Sequence, residues 1–175
     1  MIENPLIRQR MFAEGEVYAE TSFEVIRVSG EDRLSWLNSL FSQKLDDLVS
    51  GDSVETLSLD AQGRIQQIIR IIATDDSLLL VTEKNSADDL FEYLIKMRFR
   101  KVVEVEKAKQ LVVASYNEPI SDLHWKDSWP EIRIGGYRYG SRNISHPLFL
   151  NLVDRLPADL IDFQSIEPLR IYAGR

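Results

Sequence analysis

Val54-Glu-Thr-Leu-Ser-Leu-Asp-Ala-Gln-Gly-Arg-Ile-Gln-Gln-Ile-Ile-Arg-Ile-Ile-Ala73 is the stretch that decides how this chain folds. Residues 54 to 60 alternate apolar and polar, the period of a strand with one covered face, and Arg64 to Ala73 resumes an Ile-rich apolar pattern. Between them Asp60 opens a turn and Gly63 permits positive φ, so the stretch reads as a β-hairpin with its turn at Asp60 to Gly63. Two adjacent glutamines, Gln66 and Gln67, start the second strand. Successive side chains of a strand face opposite ways, so one amide points toward the apolar side and needs partners there. A strand end still close to solvent and the wall of a pocket account for this pair equally well.

After the hairpin, a turn at Thr74 to Ser77 leads to a third strand at Leu78 to Thr82. A helix over 86 to 98 follows, with Ala87, Leu90, Phe91, Leu94 and Ile95 on one face. Ser86 and Asp89 have capping-box spacing, and Lys96, Arg98, Arg100 and Lys101 gather where a helix dipole favours cations. Val102 to Glu106 makes a further strand. Upstream, Phe23 to Val28 alternates as a strand and ends at Ser29-Gly30. A helix over 31 to 41 comes next, carrying Leu34, Leu37, Leu40 and Phe41, with Trp36 widening the stripe and Glu31 and Asp32 in its first turn. Ser42 to Ser53 is a polar loop with one helical turn around Asp46 to Val49.

The order from 23 to 107 is therefore β-α-β-β-β-α-β. The fold class is α+β: a ferredoxin-like split β-α-β layer with an extra strand, both helices on one face of an antiparallel sheet, followed by a second, incomplete α+β lobe. The first lobe takes residues 1–108 and the second 109–175. In the second, Gln110 to Ser115 and Leu148 to Val153 read as strands. Glu131 to Ile134 and Tyr137 to Tyr139 flank a Gly135-Gly136 hairpin turn, and Ile166 to Ala173 reads as a helix ended by Gly174. No strand follows that helix to cover it, so the lobe reads as unfinished. Linker candidates are Lys107 to Lys109 and Asn117 to Pro130.

Composition narrows the chemistry. The 175 residues are 44% hydrophobic, enough apolar side chains for a full core. With 21 Lys plus Arg against 28 Asp plus Glu, the net charge is −7, which argues against a nucleic-acid partner. There is no Cys and there are only two His, so disulfides, thiolate sites and a multi-histidine metal site have no support and no metal is expected. No apolar run approaches the length of a membrane span, and no secretory signal precedes the first strand, so a cytoplasmic location is expected.

The remaining constellations have ordinary accounts. Asp46-Asp47 and Asp75-Asp76 are turn carboxylates whose side chains point apart. His124 and His146 stand singly in loops without a nucleophile elbow around any Ser. The cations from Lys96 to Lys109 are explained in part by the helix dipole, with an acidic partner or polyanionic tail as the alternative.

Gly30-Glu-Asp-Arg-Leu-Ser-Trp-Leu-Asn-Ser-Leu-Phe-Ser-Gln-Lys-Leu-Asp-Asp-Leu48, Gly51, Leu59-Asp-Ala-Gln-Gly-Arg-Ile65, Lys96-Met-Arg-Phe99 and Glu167-Pro-Leu-Arg-Ile-Tyr-Ala-Gly-Arg175 resemble the YgfZ-like folate-binding family, which is related to the aminomethyltransferase (T-protein) of the glycine cleavage system. The resemblance runs from about residue 20 to residue 175. It implies a tetrahydrofolate-binding accessory protein that maintains or assembles iron-sulfur enzymes, with an effect on tRNA modification, and so partners among iron-sulfur assembly or client proteins. It places Gly63, Arg64, Gln66, Gln67, Thr82, Glu83 and Tyr172 at the folate site. Arg64 would face the glutamate tail or pterin edge and the glutamines the heterocycle.

Members of that family are longer, with three lobes in a ring and a Lys-Gly-Cys-x-x-Gly-Gln-Glu motif beyond the helix that ends here at Ala173-Gly174. Without that motif and the last lobe, weak tetrahydrofolate binding and self-association through exposed apolar surface around Gln66, Gln67, Ile171 and Tyr172 are expected. T-proteins carry Asp-Asp where this chain has Gln66-Gln67, and a pterin-pairing Glu where Tyr172 stands. An amide cannot accept a proton as a carboxylate does, so no catalytic residue is assigned and enzymatic activity is not expected. The alternatives are a T-protein-like aminomethyltransferase and a non-catalytic interaction fragment.

Overall fold

A computed structural model describes residues 4–127, 133–134, 137–138 and 148–172. In chain order the elements are α1 (Pro5–Ala13), β1 (Tyr18–Glu20), β2 (Phe23–Ser29), α2 (Arg33–Leu40), β3 (Ser53–Leu59), β4 (Ile65–Ala73), β5 (Ser77–Glu83), α3 (Lys84–Met97) and β6 (Glu104–Lys107). They continue with β7 (Leu111–Tyr116), β8 (His124–Lys126), β9 (Arg133–Ile134), β10 (Tyr137–Arg138), β11 (Leu148–Val153), β12 (Leu160–Asp162) and α4 (Glu167–Tyr172). The chain divides into two compact units, Ser22–Leu111 and Met1–Thr21 joined with Val112–Arg175.

The unit Ser22–Leu111 is the split β-α-β layer with one added strand. Its sheet runs β3-β4-β5-β2-β6, and its strand pairs are antiparallel. The alternation of each strand selects one face for the core: Ile26 and Val28 on β2, Ile69 and Ile71 on β4, Leu78 and Leu80 on β5. Trp36 and Leu37 of α2 and Leu90 and Leu94 of α3 join the same core, so both helices cover one face of the sheet. Leu37 and Leu94 are fully buried, as their place on the apolar stripes requires.

The decisive hairpin forms as its sequence dictates. Asp60 N–H donates to the Arg64 carbonyl at 2.9 Å, Gly63 N–H donates to the Asp60 carbonyl at 2.9 Å, and Gly63 sits at φ +78°. Asp60 Oδ1 accepts from Gln62 N–H at 2.9 Å and Arg64 N–H at 2.8 Å, the local bonding for which Asp is favoured in turns.

Helix starts differ from the sequence reading. The chain enters α3 straight from β5: Lys84 N–H donates to the Ser22 carbonyl at 2.9 Å and Glu83 takes the N-cap position without a side-chain bond. Ser86 therefore lies inside the helix and cannot cap it. Asp32 stands at the N-cap of α2, but its Oδ2 accepts from Val102 N–H at 2.8 Å rather than from the helix. The segment Asp46 to Val49 forms a turn at Asp46-Asp47, not a helical turn, and Lys44 bonds Asp47 at 2.8 Å there.

The other unit corrects the lobe boundary at the N-terminus. Residues 1–21, assigned by sequence to the first lobe, fold with residues beyond 111 because β1 finds its partners there. Tyr18 pairs with Leu160 in a parallel register, and Ala19 pairs with Ala114 antiparallel. The sheet runs β12-β1-β7-β11-β8. Helix α1 has Pro5 at its start and Asn4 as its cap, Asn4 Oδ1 accepting from Leu6 N–H at 3.0 Å; both are N-terminal signals. Its one buried residue, Phe12, meets the Tyr116 ring at 5.7 Å.

Buried Asn151 ties this unit together. Its Nδ2 donates to the Val113 carbonyl at 3.1 Å and to Ser115 Oγ at 2.9 Å, while its Oδ1 accepts from Ile120 N–H at 2.8 Å. The C-terminal helix begins as a single 3-10 turn, Phe163–Ile166, capped by Asp162, and becomes α-helical only at Glu167. Strands β9 and β10 pair antiparallel as a hairpin, Tyr137 opposite Ile134, while the turn residues Gly135-Gly136, with His146 and Gly174, lie outside the described residues.

Candidate functional site

Strand β4 outruns β5. The β4 to β5 ladder covers only Arg70 to Ala73 against Leu78 to Val81, so the first half of β4 is paired on one side alone, to β3. On that side the register slips: Ser58 faces Gln67 but Leu59 faces Ile65. Gln66 is the extra residue of a β-bulge, a device that re-aims side chains at a sheet edge. Past the end of the β5 ladder the chain turns into α3, and the space between becomes a groove of about 250 Å³ lined by Ile65, Gln66, Gln67, Ile68, Thr82, Glu83 and Ser86.

The two glutamines part company here. Gln66 is exposed and its Nε2 turns back to Asp60 Oδ2 at 3.3 Å. Gln67 reaches toward α3, where its Nε2 donates to the Ser86 carbonyl at 3.2 Å and its Oε1 is buried with no hydrogen-bond partner. An acceptor buried without a partner carries a desolvation cost of about 1–3 kcal/mol, which a donor supplied by a ligand would relieve. Thr82 is buried at the groove, and Glu83 is an exposed carboxylate beside it.

Of the residues assigned by sequence, Gln66, Gln67, Thr82 and Glu83 therefore come together. Gly63 and Arg64 are exposed in the turn that precedes β4 and do not line the groove. Tyr172 ends α4 in the other unit, and its side chain lies outside the described residues. Three lining residues went unassigned. Ser86 read as a helix cap, and Ile65 and Ile68 read as strand core although they are 60% and 45% exposed. The signal available for them was the adjacency of Ile-Gln-Gln-Ile, in which any bulge throws apolar side chains outward.

Elsewhere several titratable groups have structural partners. Arg27 bonds Asp76 at 2.7 Å, Lys107 pairs with Asp88, and the His124 ring meets the Ser121 carbonyl at 2.8 Å. Among the described residues no group of three or more His, Cys, Asp or Glu converges, and no helix is long and apolar enough to cross a membrane.

The fold is thus an α+β one, a split β-α-β layer whose central hairpin carries a groove, accompanied by a second small sheet unit. It is similar to the crystal structure of glycine cleavage system aminomethyltransferase T from Bartonella henselae, with a TM-score of 0.56 at 12% sequence identity, over 96% of this chain and 48% of that one. The likeness is one of fold, and the chain spans about half the length of that neighbour. No family model matches the sequence, and no curated protein matches it.

Proposed function

We propose that the chain is a folate-binding accessory protein of the YgfZ type, with the groove at the start of β4 forming one wall of a tetrahydrofolate site. The observation that carries this reading is the buried, unpartnered Oε1 of Gln67. A pterin edge presents N–H donors, and one of them would complete the bonding of that amide. Ile65 and Ile68 offer apolar surface to the flat ring. Arg64, exposed at the adjoining turn, is free to meet the glutamate tail, a pairing of guanidinium with carboxylate. At about 250 Å³ the groove is smaller than a complete small-molecule pocket of about 300–1,000 Å³, so it holds part of such a ligand, and weakly. In this reading the protein serves iron-sulfur enzyme assembly or maintenance in the cytoplasm, with assembly or client proteins as partners. Self-association through the exposed Ile65 and Ile68 belongs to the same proposal.

Titration of the isotope-labelled chain with millimolar tetrahydrofolate tests the site. Amide resonances of Gln67, Thr82 and Ser86 are expected to shift saturably, with affinity weaker than micromolar. Gln67→Leu should weaken binding about tenfold or more while leaving the fold intact, since it removes the ligand bond and relieves a buried polar atom. Shifts confined to other regions, or an undiminished affinity in Gln67→Leu, would overturn the proposal.

A T-protein-like aminomethyltransferase is the second reading, favoured by the fold neighbour and by Glu83, a carboxylate at the groove. Folate-dependent ammonia release from a lipoyl-bound aminomethyl group, lost in Glu83→Gln, would establish it in place of the accessory role.

A further inference from the structure

The loop that leaves α3, Arg98-Phe99-Arg100-Lys101, holds an aromatic side chain out in solvent. Phe99 is 79% exposed, and its backbone sits at φ +45°, a region that bulky residues seldom occupy. A hollow lies on either side of it. One, of about 750 Å³, has Trp36, Leu40 and Met97 among its lining, together with Arg100, Lys101 and the carboxylate of Asp32. The other, of about 460 Å³, runs past Arg98 to Val103. The Trp36 indole N–H donates to the Met97 carbonyl at 3.1 Å, which fixes the apolar floor.

Charge marks the same place. In a chain of net charge −7, this loop and the adjoining last turn of α3 gather Lys96, Arg98, Arg100 and Lys101. Among the described residues Lys96, Arg98 and Arg100 have no carboxylate partner; Arg33, Arg64, Lys84 and Lys109 of the same unit have none either, but they stand singly, whereas these three alternate along one short stretch. Lys101 reaches Asp32 only at 3.8 Å, and Asp32 is already bonded by Val102 N–H.

We propose that this groove docks a segment of a partner protein in which an apolar side chain is flanked by carboxylates. The apolar side chain seats over Trp36, Leu40 and Met97 beside Phe99, and the carboxylates meet Arg98, Arg100 and Lys96. A large concave apolar floor with a cationic rim matches a knob with an acidic border, and the acidic remainder of the chain repels such a partner elsewhere. A bilayer surface offers no knob to fill the hollow. A nucleic acid strand calls for a row of stacking platforms and a longer cationic track than one aromatic among these few cations provides.

The test uses the full chain, isotope-labelled, and a short peptide in which leucine and phenylalanine are interspersed with glutamate. The Trp36 indole resonance, assigned with Trp36→Phe, is expected to shift saturably while that of buried Trp125 stays, and affinity should fall with added salt. Phe99→Asn keeps a residue that tolerates positive φ and removes the ring; Arg98→Gln/Arg100→Gln removes the charge. Each should weaken binding about tenfold or more without moving the melting temperature. An unmoved Trp36 at millimolar peptide, equal binding of a lysine-for-glutamate peptide or of plain polyglutamate, or unaltered affinity in either variant would overturn the proposal. Preferential binding of phosphatidylserine vesicles or of a single-stranded oligonucleotide would overturn it as well.

Discussion

The two halves of β4 are made of the same residue type and end up in opposite environments. Ile69, Ile71 and Ile72 are buried in the sheet, whereas Ile65 and Ile68, a few residues earlier on the same strand, are largely exposed at the groove. Arg70 to Ala73 has a strand on each side, β3 and β5; Ile65 to Ile69 has β3 alone and carries the bulge at Gln66, and of its isoleucines Ile69 alone turns to the core face. Hydrophobicity therefore does not decide burial along this strand. The face a side chain takes separates Ile69 from Ile68, and beyond Arg70, where the ladder to β5 stops, the unpaired side of the strand gives way to a surface that can bind.

The same substitution at the two ends breaks or confirms that contrast with the largest effect. Threonine in place of isoleucine keeps the β-branch that suits a strand, so only the environment differs. Ile71→Thr removes packing from a fully buried site and buries a hydroxyl, which should cost about 2–4 kcal/mol. Ile65→Thr should change stability by about 0.5 kcal/mol or less, in line with other exposed positions. Urea midpoints measured at unchanged m-value decide the matter, and equal costs would mean that the exposed half is packed after all.

How much of this was legible in the sequence follows the same line. Helix α3 and the hairpin were readable because Ala87, Leu90 and Leu94 repeat at helical spacing and Asp60 with Gly63 marks a turn, both local patterns. Helix α1 was not, since Phe12 is its only buried residue and no apolar stripe announces it. Strand β1 is three residues long and owes its existence to β12, whose Leu160 lies opposite Tyr18; no local window holds both. At the groove, the Gln66-Gln67 pair signalled that one amide faces inward. The bulge that selects Gln67 for that role and turns Gln66 back to Asp60 arises from the pairing of two strands, which composition does not encode. The placement of Ser86 beside Gln67 depends on where β5 ends, and the capping pattern pointed elsewhere.

A smaller effect probes the turn that begins the exposed half. A Cβ added at Gly63 would meet nothing within 4 Å, so crowding plays no part and only the backbone conformation at φ +78° is at stake. Gly63→Ala should cost about 1–2 kcal/mol for holding an L-residue in the left-handed region. Gly63→Asn should cost less, because Asn is among the residues most tolerant of positive φ. Thermal unfolding of both variants checks the order, and a cost for Asn equal to that for Ala would show that something besides the dihedral angle is lost.

The smallest effect belongs to the turn at the other end of β4, which closes the buried half. Asp76 Oδ1 accepts from the Ser77 hydroxyl at 2.9 Å and the Thr74 hydroxyl at 3.1 Å, and its Oδ2 accepts from Arg27 at 2.7 Å. These hydroxyls first, and Arg27 after them, hold the carboxyl below its ordinary value in the folded chain. A lowered folded pKa means that the unfolded chain binds the proton more readily, so protonation favours unfolding. The contribution of this turn is complete above the ordinary carboxylate pKa of about 3.9 and is lost as pH falls through the lower folded value. Because Asp76 is exposed and paired in water, the contribution is small and weakens with salt. Urea unfolding of the native chain and of Asp76→Asn between about pH 6 and pH 2 reads it directly: the native chain should hold a modest advantage at the upper end that shrinks to nothing at the lower. An advantage that stays constant across the range would mean that the charge of Asp76 contributes nothing to closing the buried half of β4.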